Sequence, residues 1–324
     1  MSKKSSVFGL LLAFMVCLSA ACSGTAAAPA SPPLKVAWTL LQGDYTLLVA
    51  NQMGFFKEHG VNVEPVRYDS STQALPDLAG ANLDGGLFTM SDLLLGSNLA
   101  DIKAVMVTDN GGQYSLVASP DYRTLNDLRG KRIGLNLHTS SEIFVVDMLK
   151  TKFMTSEDVT YVEIPPAKVS QNIPSVIDAG LVWEPYTSQA LRQGKVVVFQ
   201  SDSISALLPN LAVFRSSVIS QRPQDIRAFI LAWDEGVQYR ISHSQESVAI
   251  ISKATGLATG DIIATGNMTF YTIVDNLNLF ADKAGADPRS IYYIAGVNRE
   301  SLITAGYLTD PPNPNAVLDP SFLK

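Results

Sequence analysis

The sequence predicts an α/β protein built as two lobes, on three observations. Short apolar runs alternate with amphipathic stretches from Leu34 onward, the alternation falls into two separate series, and 324 residues suffice for two domains of ordinary size. Each lobe is expected to hold a mixed, mostly parallel sheet flanked by helices.

The chain opens on a segment of a different kind. Lys3 and Lys4 precede an uncharged apolar run, Val7 to Leu18, too short to cross a bilayer, which reads as a signal peptide. The run ends in Leu18-Ser19-Ala20-Ala21-Cys22. This resembles the lipobox cleaved before a cysteine that is then acylated, with Ser19 standing where Leu is usual. Cleavage further along, near Ala28 to Ala30, would discard Cys22 instead. On the first reading residues 1–21 are leader, Cys22 carries the lipid (a palmitate-type anchor), and residues 22–33, rich in Ala, Ser, Pro and Gly, form a flexible tether.

Removing 21 residues leaves 303 and takes Cys17 with the leader, so no thiol remains in the folded body for disulfides or metal ligation. Loss of Lys3 and Lys4 moves the formal charge from −6 to −8. An acidic body argues against nucleic acid, which demands clustered cations.

The first series predicts strands at Lys35 to Thr39, Val61 to Tyr68, Gly86 to Phe88, Ile102 to Thr108 and Ser115 to Ala118. A helix from Tyr45 to Glu58 links the first two, with Gly60 as its stop. Pro76 should kink or restart the helix before Asp84. The second series, after Pro120, predicts strands at Arg132 to Leu135, Val159 to Ile164, Gly180 to Trp183 and Lys195 to Phe199. Thr139-Ser140-Ser141-Glu142 is a capping box that starts a helix. The runs that begin at Asp84 and at Asp178 echo each other: an acidic residue, small residues, then a buried-type strand.

After Asn210 the pattern turns helical. Ile226, Phe229, Ile230, Trp233 and Val237 make one apolar stripe at helical spacing, which is core. Ser242-His243-Ser244-Gln245 reads as a further capping box before a helix ending at Gly256, and the last dozen residues read as a surface tail.

Equipment for hydrolysis is missing from the sequence. There is no Gly-x-Ser-x-Gly elbow, no His-Glu-x-x-His helix and no phosphate-cradling glycine loop, and the three histidines, His59, His138 and His243, lie far apart. His138, before a helix start, is the one retained near the predicted cleft. No catalytic residue, metal or cofactor is assigned.

Gly54-Phe55-Phe56-Lys57-Glu58-His59-Gly60-Val61-Asn62-Val63-Glu64, Thr124-Leu125-Asn126-Asp127-Leu128-Arg129-Gly130-Lys131-Arg132-Ile133-Gly134, and Ile177-Asp178-Ala179-Gly180-Leu181-Val182-Trp183-Glu184-Pro185-Tyr186 occur in an order that resembles one family. It is that of the solute-binding proteins of ABC importers for sulfonates, taurine, nitrate, thiamine pyrimidines and riboflavin, the NMT1/THI5-like group, over residues 34–252. The resemblance implies a two-lobed periplasmic-binding-protein clamshell of type II, with residues 34–117 plus 210–324 as lobe 1 and 118–209 as lobe 2. It also implies a ligand cleft at the strand ends. It further implies a monomer that serves a membrane permease and its ATPase from the extracytoplasmic face, touching the membrane only through its lipid. A yeast thiamine-pyrimidine synthase shares the fold but works with iron and a cysteine-rich segment, and no cysteine follows Cys22 here.

Strand ends and helix starts nominate Trp38, Thr39, Tyr45, Tyr68, Asp69, Thr89 and Asp109 from lobe 1. From lobe 2 they nominate Thr139, Trp183, Glu184 and Tyr186. Rings are many in this set and Arg and Lys absent, which disfavours a bare anion and favours a flat nitrogen heterocycle stacked on rings, its N–H groups held by carboxylates. Trp38-Thr39 resembles the Trp-Thr of pyrimidine binders, although Leu40-Leu41 replaces their Pro-Asn. Riboflavin and a thiamine pyrimidine are the preferred solutes, and taurine or an aliphatic sulfonate the alternative. Trp183 packing between helices and Glu184 capping the helix at Tyr186 are the structural alternatives for those two residues.

Overall fold

A computed structural model describes residues 31–111, 114–137, 139–201, 208–262, 268–310 and 312–324. The chain divides into two compact units, residues 1–31 and 32–324. The leader, Cys22, nearly all of the tether and His138 lie outside the described residues.

Among the described residues, lobe 1 begins β1 (Leu34–Trp38), α1 (Tyr45–Met53), α2 (Phe55–Glu58), β2 (Val63–Arg67), α3 (Ser71–Ala79), β3 (Gly85–Thr89), α4 (Met90–Gly96) and β4 (Ile102–Asp109). The chain then crosses into a second sheet through β5 (Ser115–Ala118). There it builds β6 (Arg132–Leu135), α5 (Ser140–Lys150), β7 (Thr160–Glu163), α6 (Pro166–Asn172), β8 (Ala179–Val182), α7 (Tyr186–Arg192) and β9 (Val196–Gln200). It returns as β10 (Asn210–Arg215) and ends in α8 (Ser216–Gln221), α9 (Pro223–Ser242), α10 (Ser244–Thr255), α11 (Ile273–Leu279), α12 (Ile291–Thr304) and α13 (Pro314–Val317).

The two sheets have one design. Their orders are β2-β1-β3-β10-β4 and β7-β6-β8-β5-β9, with parallel pairing at β1–β2, β1–β3, β6–β7 and β6–β8. In each sheet the antiparallel strand, β10 or β5, is the one that has just crossed from the other lobe. Because β5 already belongs to the second sheet, the first crossing falls before Ser115, slightly ahead of the boundary expected after residue 117.

The echo of Asp84 and Asp178 is a repeated strut. Lys35 N–H donates to Asp84 Oδ2 at 2.9 Å and Arg132 N–H to Asp178 Oδ2 at 2.9 Å. Each aspartate N–H returns a bond of 2.9 Å to the carbonyl of Lys35 or Arg132. These struts stand at the N-terminal ends of β3 and β8, opposite the ends that face the cleft.

Several local expectations are corrected. The helix expected over Tyr45 to Glu58 is two helices, because Gly54 adopts φ +88° and stops α1 before α2 begins, while Gly60 with φ +85° follows as the expected stop. Pro76 neither ends nor restarts α3, which carries it inside a single helix. No capping box forms at Ser242: α9 runs through it, and its hydroxyl bonds back to Gln238 O at 2.8 Å. At α5, Thr139 caps alone, accepting from Ser141 N–H at 3.1 Å. The C-terminal residues are no surface tail, since Val317, Leu318 and Leu323 are buried and Leu318 bridges Ala104 of β4.

The stripe on α9 is core as predicted, with Trp233 fully buried and Phe229 stacked on Phe56 at 5.2 Å. Among the described residues, contacts also join the lobes away from the strand ends. Ile143 of α5 is buried in the apolar cluster of lobe 1, Arg192 pairs with Asp261 at 2.5 Å, and Ser301 Oγ donates to Asp147 Oδ2 at 3.4 Å.

Candidate functional site

Lobe 1 meets the cleft through the turn between β1 and α1. Thr39 N–H and Thr39 Oγ1 both donate to Asp44 Oδ2, at 2.7 and 3.0 Å. The turn passes so close to β4 that a Cβ on Gly43 would lie 2.0 Å from Asp109 Oδ2, a clash only glycine avoids. Asp109 is itself engaged by Thr108 Oγ1 at 3.0 Å, Gly111 N–H at 2.9 Å and Asn210 Nδ2 at 2.8 Å. From α9, Arg240 donates to Gln42 O at 3.0 Å and Thr46 Oγ1 at 2.8 Å, with its guanidinium 4.2 Å from the Phe270 ring centre. Burial pushes the carboxyls of Asp44, Asp92 and Asp109 above their ordinary range and lowers Arg240 to about 10.

The next helix starts continue the same wall. Thr89 opens α4 by a capping box with Asp92, whose Oδ2 accepts from Thr89 N–H at 3.2 Å, Thr89 Oγ1 at 2.8 Å and Ser71 Oγ at 2.7 Å. Asp69 and Ser70 lead into α3 beside it.

Lobe 2 brings rings. Trp183, just past β8, meets Tyr114 and Tyr186 edge-on, with centroids 5.5 and 6.4 Å apart, and Tyr114 stacks on Phe144 at 5.1 Å. Burial raises the Tyr114 hydroxyl to about 12, so it stays neutral. Thr139 caps α5 at the rim and donates to Asn136 O at 2.9 Å.

These two surfaces enclose a cavity of about 40 Å³. That is room for a few water molecules, so a solute enters only when the lobes part. Of the predicted residues, Thr39, Asp69, Thr89, Thr139, Trp183 and Tyr186 line it. Trp38, Tyr45, Tyr68, Asp109 and Glu184 stand outside its wall. Trp38 is buried in the lobe 1 core with the Arg67 guanidinium 6.0 Å from its ring, and Tyr45 is buried with an unpartnered hydroxyl. Tyr68 donates to Asp77 at 2.6 Å, and Glu184 accepts from Ser188 N–H and Oγ, both at 3.1 Å, which makes it the cap of α7. Leu40, Leu41, Ser71, Thr72, Tyr114, Asn136, Ser140, Ser141 and Pro166 join the wall without having been nominated. A wider groove of about 940 Å³ separates α5 from α12, but its charges already pair locally, Lys150 with Asp147 and Arg299 with Glu300.

Residues 45–247 match the family described as NMT1/THI5 like. The chain belongs to the NMT1/THI5-like family. Within reach of this membership is a binding protein of Brucella abortus (strain 2308), 22% identical over 210 residues, which cover 63% of this chain and 66% of that protein. The chain thus spans just under two thirds of the length of the curated relatives it matches. Among solved structures, the periplasmic aliphatic sulphonate-binding protein SsuA from Escherichia coli superposes with a TM-score of 0.72 at 15% identity, covering 90% of this chain and 92% of that one. The periplasmic nitrate-binding protein NrtA from Synechocystis PCC 6803 gives 0.69 at 16% identity, with 90% and 86% covered. Both likenesses establish the periplasmic-binding-protein fold for this member of the NMT1/THI5-like family.

Proposed function

We propose that this protein is the solute-binding component of an ABC-type importer, closing its two lobes on a small planar nitrogen heterocycle and handing it to a permease driven by an ATPase. The observation that carries the reading is the asymmetric cavity wall: Tyr114, Trp183 and Tyr186 on one side, and Asp69 with a row of hydroxyls on the other. Rings offer a stacking surface and the polar side offers partners for ring nitrogens and amino groups. Closure follows from contacts made to both lobes at once, which shift the balance of open and closed forms. The leader and Cys22 support lipid anchoring at the extracytoplasmic face of the cell membrane, and the role is one of binding, by a monomer, without catalysis.

Taurine or an aliphatic sulfonate is the second reading, because the starts of α3 and α5 bring backbone N–H groups to the cavity, as an anion requires. Thermal-shift titration with riboflavin, a thiamine pyrimidine, taurine, alkyl sulfonates and nitrate decides between them, since a ligand that binds only the folded state raises Tm by mass action. A rise with a pyrimidine is expected. Tight binding of nitrate or a sulfonate with no response to any heterocycle overturns the first reading. Trp183→Ala should abolish ligand-dependent fluorescence quenching.

A further inference from the structure

A hydroxyl has one proton and two lone pairs, so once its proton is committed it can only accept. Four hydroxyls on the cavity wall are committed in this way. Thr39 Oγ1 donates to Asp44 Oδ2 at 3.0 Å, Ser71 Oγ and Thr89 Oγ1 donate to Asp92 Oδ2 at 2.7 and 2.8 Å, and Thr139 Oγ1 donates to the carbonyl of Asn136 at 2.9 Å. The direction of the first three is fixed independently. The same carboxylate oxygens also receive the backbone N–H of Thr39, at 2.7 Å, and of Thr89, at 3.2 Å, and a backbone N–H only donates. Asp44 and Asp92 are 1% and 0% exposed, so no water competes for these protons. Ser70 and Thr72 hold each other at 3.0 Å and Ser140 meets Tyr114, while Asp69 adds a carboxylate to the same wall.

The lobe 1 side of the wall is therefore rich in acceptors and poor in free side-chain protons, whereas lobe 2 contributes Asn136 and Trp183, which carry donors of their own. We infer that the lobe 1 side of the cleft selects a solute whose polar edge there donates N–H, an amino group or an ammonium, over one that only accepts. On the same geometry Asp44 and Asp92, which do not line the cavity, are positioning residues that fix this preference through the hydroxyls they hold. This deepens the proposed solute-binding function and rests on the solute occupying this cleft. Against these hydroxyls an acceptor-only head such as an ether or a simple sulfonate would set lone pairs against lone pairs, and discrimination of this kind comes from buried polar groups left unpaired.

Matched ligands test it by calorimetry on the purified full chain: 4-amino-2-methylpyrimidine against 4-methoxy-2-methylpyrimidine, and taurine against ethanesulfonate. In whichever pair binds, the amino member should bind about tenfold tighter or more, the worth of a hydrogen bond to a well-held acceptor. Asp92→Ala removes the acceptor that Ser71 and Thr89 share, frees their protons to turn into the cavity, and should reduce that ratio to within about twofold while the ring frame is still bound. Equal or tighter binding of the methoxy ligand or of ethanesulfonate by the unmodified protein overturns the inference and leaves the solute-binding reading standing. An Asp92→Ala protein that weakens both members equally overturns the positioning role. Should that variant not fold, the ratio in the unmodified protein still decides the preference. Binding of none of the four overturns the cleft reading itself and the inference with it.

Discussion

The two lobes share a sheet order and differ in where they keep their charges. Lobe 1 hides Asp44, Asp92, Asp109 and Arg240 beneath the strand ends, where burial shifts all four toward their neutral forms. Lobe 2 keeps its ionic contacts at its periphery, Arg129 with Asp158 and Arg132 with Asp178, and delivers rings to the cleft instead. One backbone design thus yields a polar floor from one lobe and an aromatic wall from the other. The topology positions a site, and side chains buried behind it decide its character.

The largest test of this contrast removes the cation from lobe 1. Arg240→Ala leaves Gln42 O without its donor, exposes Asp109 to an uncompensated burial and strips the face of Phe270. It should destabilise the protein by about 3 kcal/mol, read as a lower urea midpoint. Truncating Arg132, half-exposed in lobe 2, should cost far less, and an equal loss would break the comparison. A smaller effect sharpens the lobe 2 side. Glu184→Gln weakens the cap on Ser188 N–H and should lower stability by about 1 kcal/mol while leaving ligand affinity unchanged, since Glu184 stands outside the cavity wall.

The smallest effect is a divergence with pH. Hydrogen bonds from Arg132 hold Asp178, and the Thr155 N–H holds Asp158, below the ordinary 3.8. A carboxyl lowered by folding contributes stability that is complete above its unfolded value and is lost as pH falls through its folded one. Asp44 and Asp92, raised by burial, behave oppositely: their contribution is complete below the unfolded value and is lost as pH rises through the folded one. Amide-exchange protection of Arg132 and Thr155 should therefore fall first on acidification below 3.8, with Thr39 and Thr89 still protected. Loss at all four together would erase the difference between the lobes.

Much of the fold was legible because β and α periodicities differ and the turns carry glycine, as at Gly60 and Gly256. Thr39, Thr89, Thr139 and Trp183 were legible as wall residues for a related reason: each is the last residue of a strand, the one just past it, or a helix cap. Trp38 failed that rule because successive side chains of a strand point to opposite faces, so the residue before Thr39 turns into the core. Tyr68 and Glu184 sit at the right places along the chain but are claimed by Asp77 and Ser188 nearby. Tyr114 reaches the cleft only because the chain crosses between sheets there, and no local pattern announces a crossing. The polarity of the hydroxyls depends on aspartates three to twenty-one residues away: Thr89 and Asp92 stand at capping-box spacing, whereas the pairing of Ser71 with Asp92 is visible only in three dimensions.

Ile143 ties the two lobes together outside the cavity wall. Its side chain belongs to lobe 2 by sequence and to the apolar cluster of lobe 1 by contact. Withdrawing such a side chain into water costs about 2 kcal/mol. That cost falls on the parting of the lobes whatever the cleft contains, so it weights the joined form by roughly tenfold or more without adding a single contact to the solute. Ile143 thus lends the joined lobes a stability that does not depend on which solute the cleft accepts.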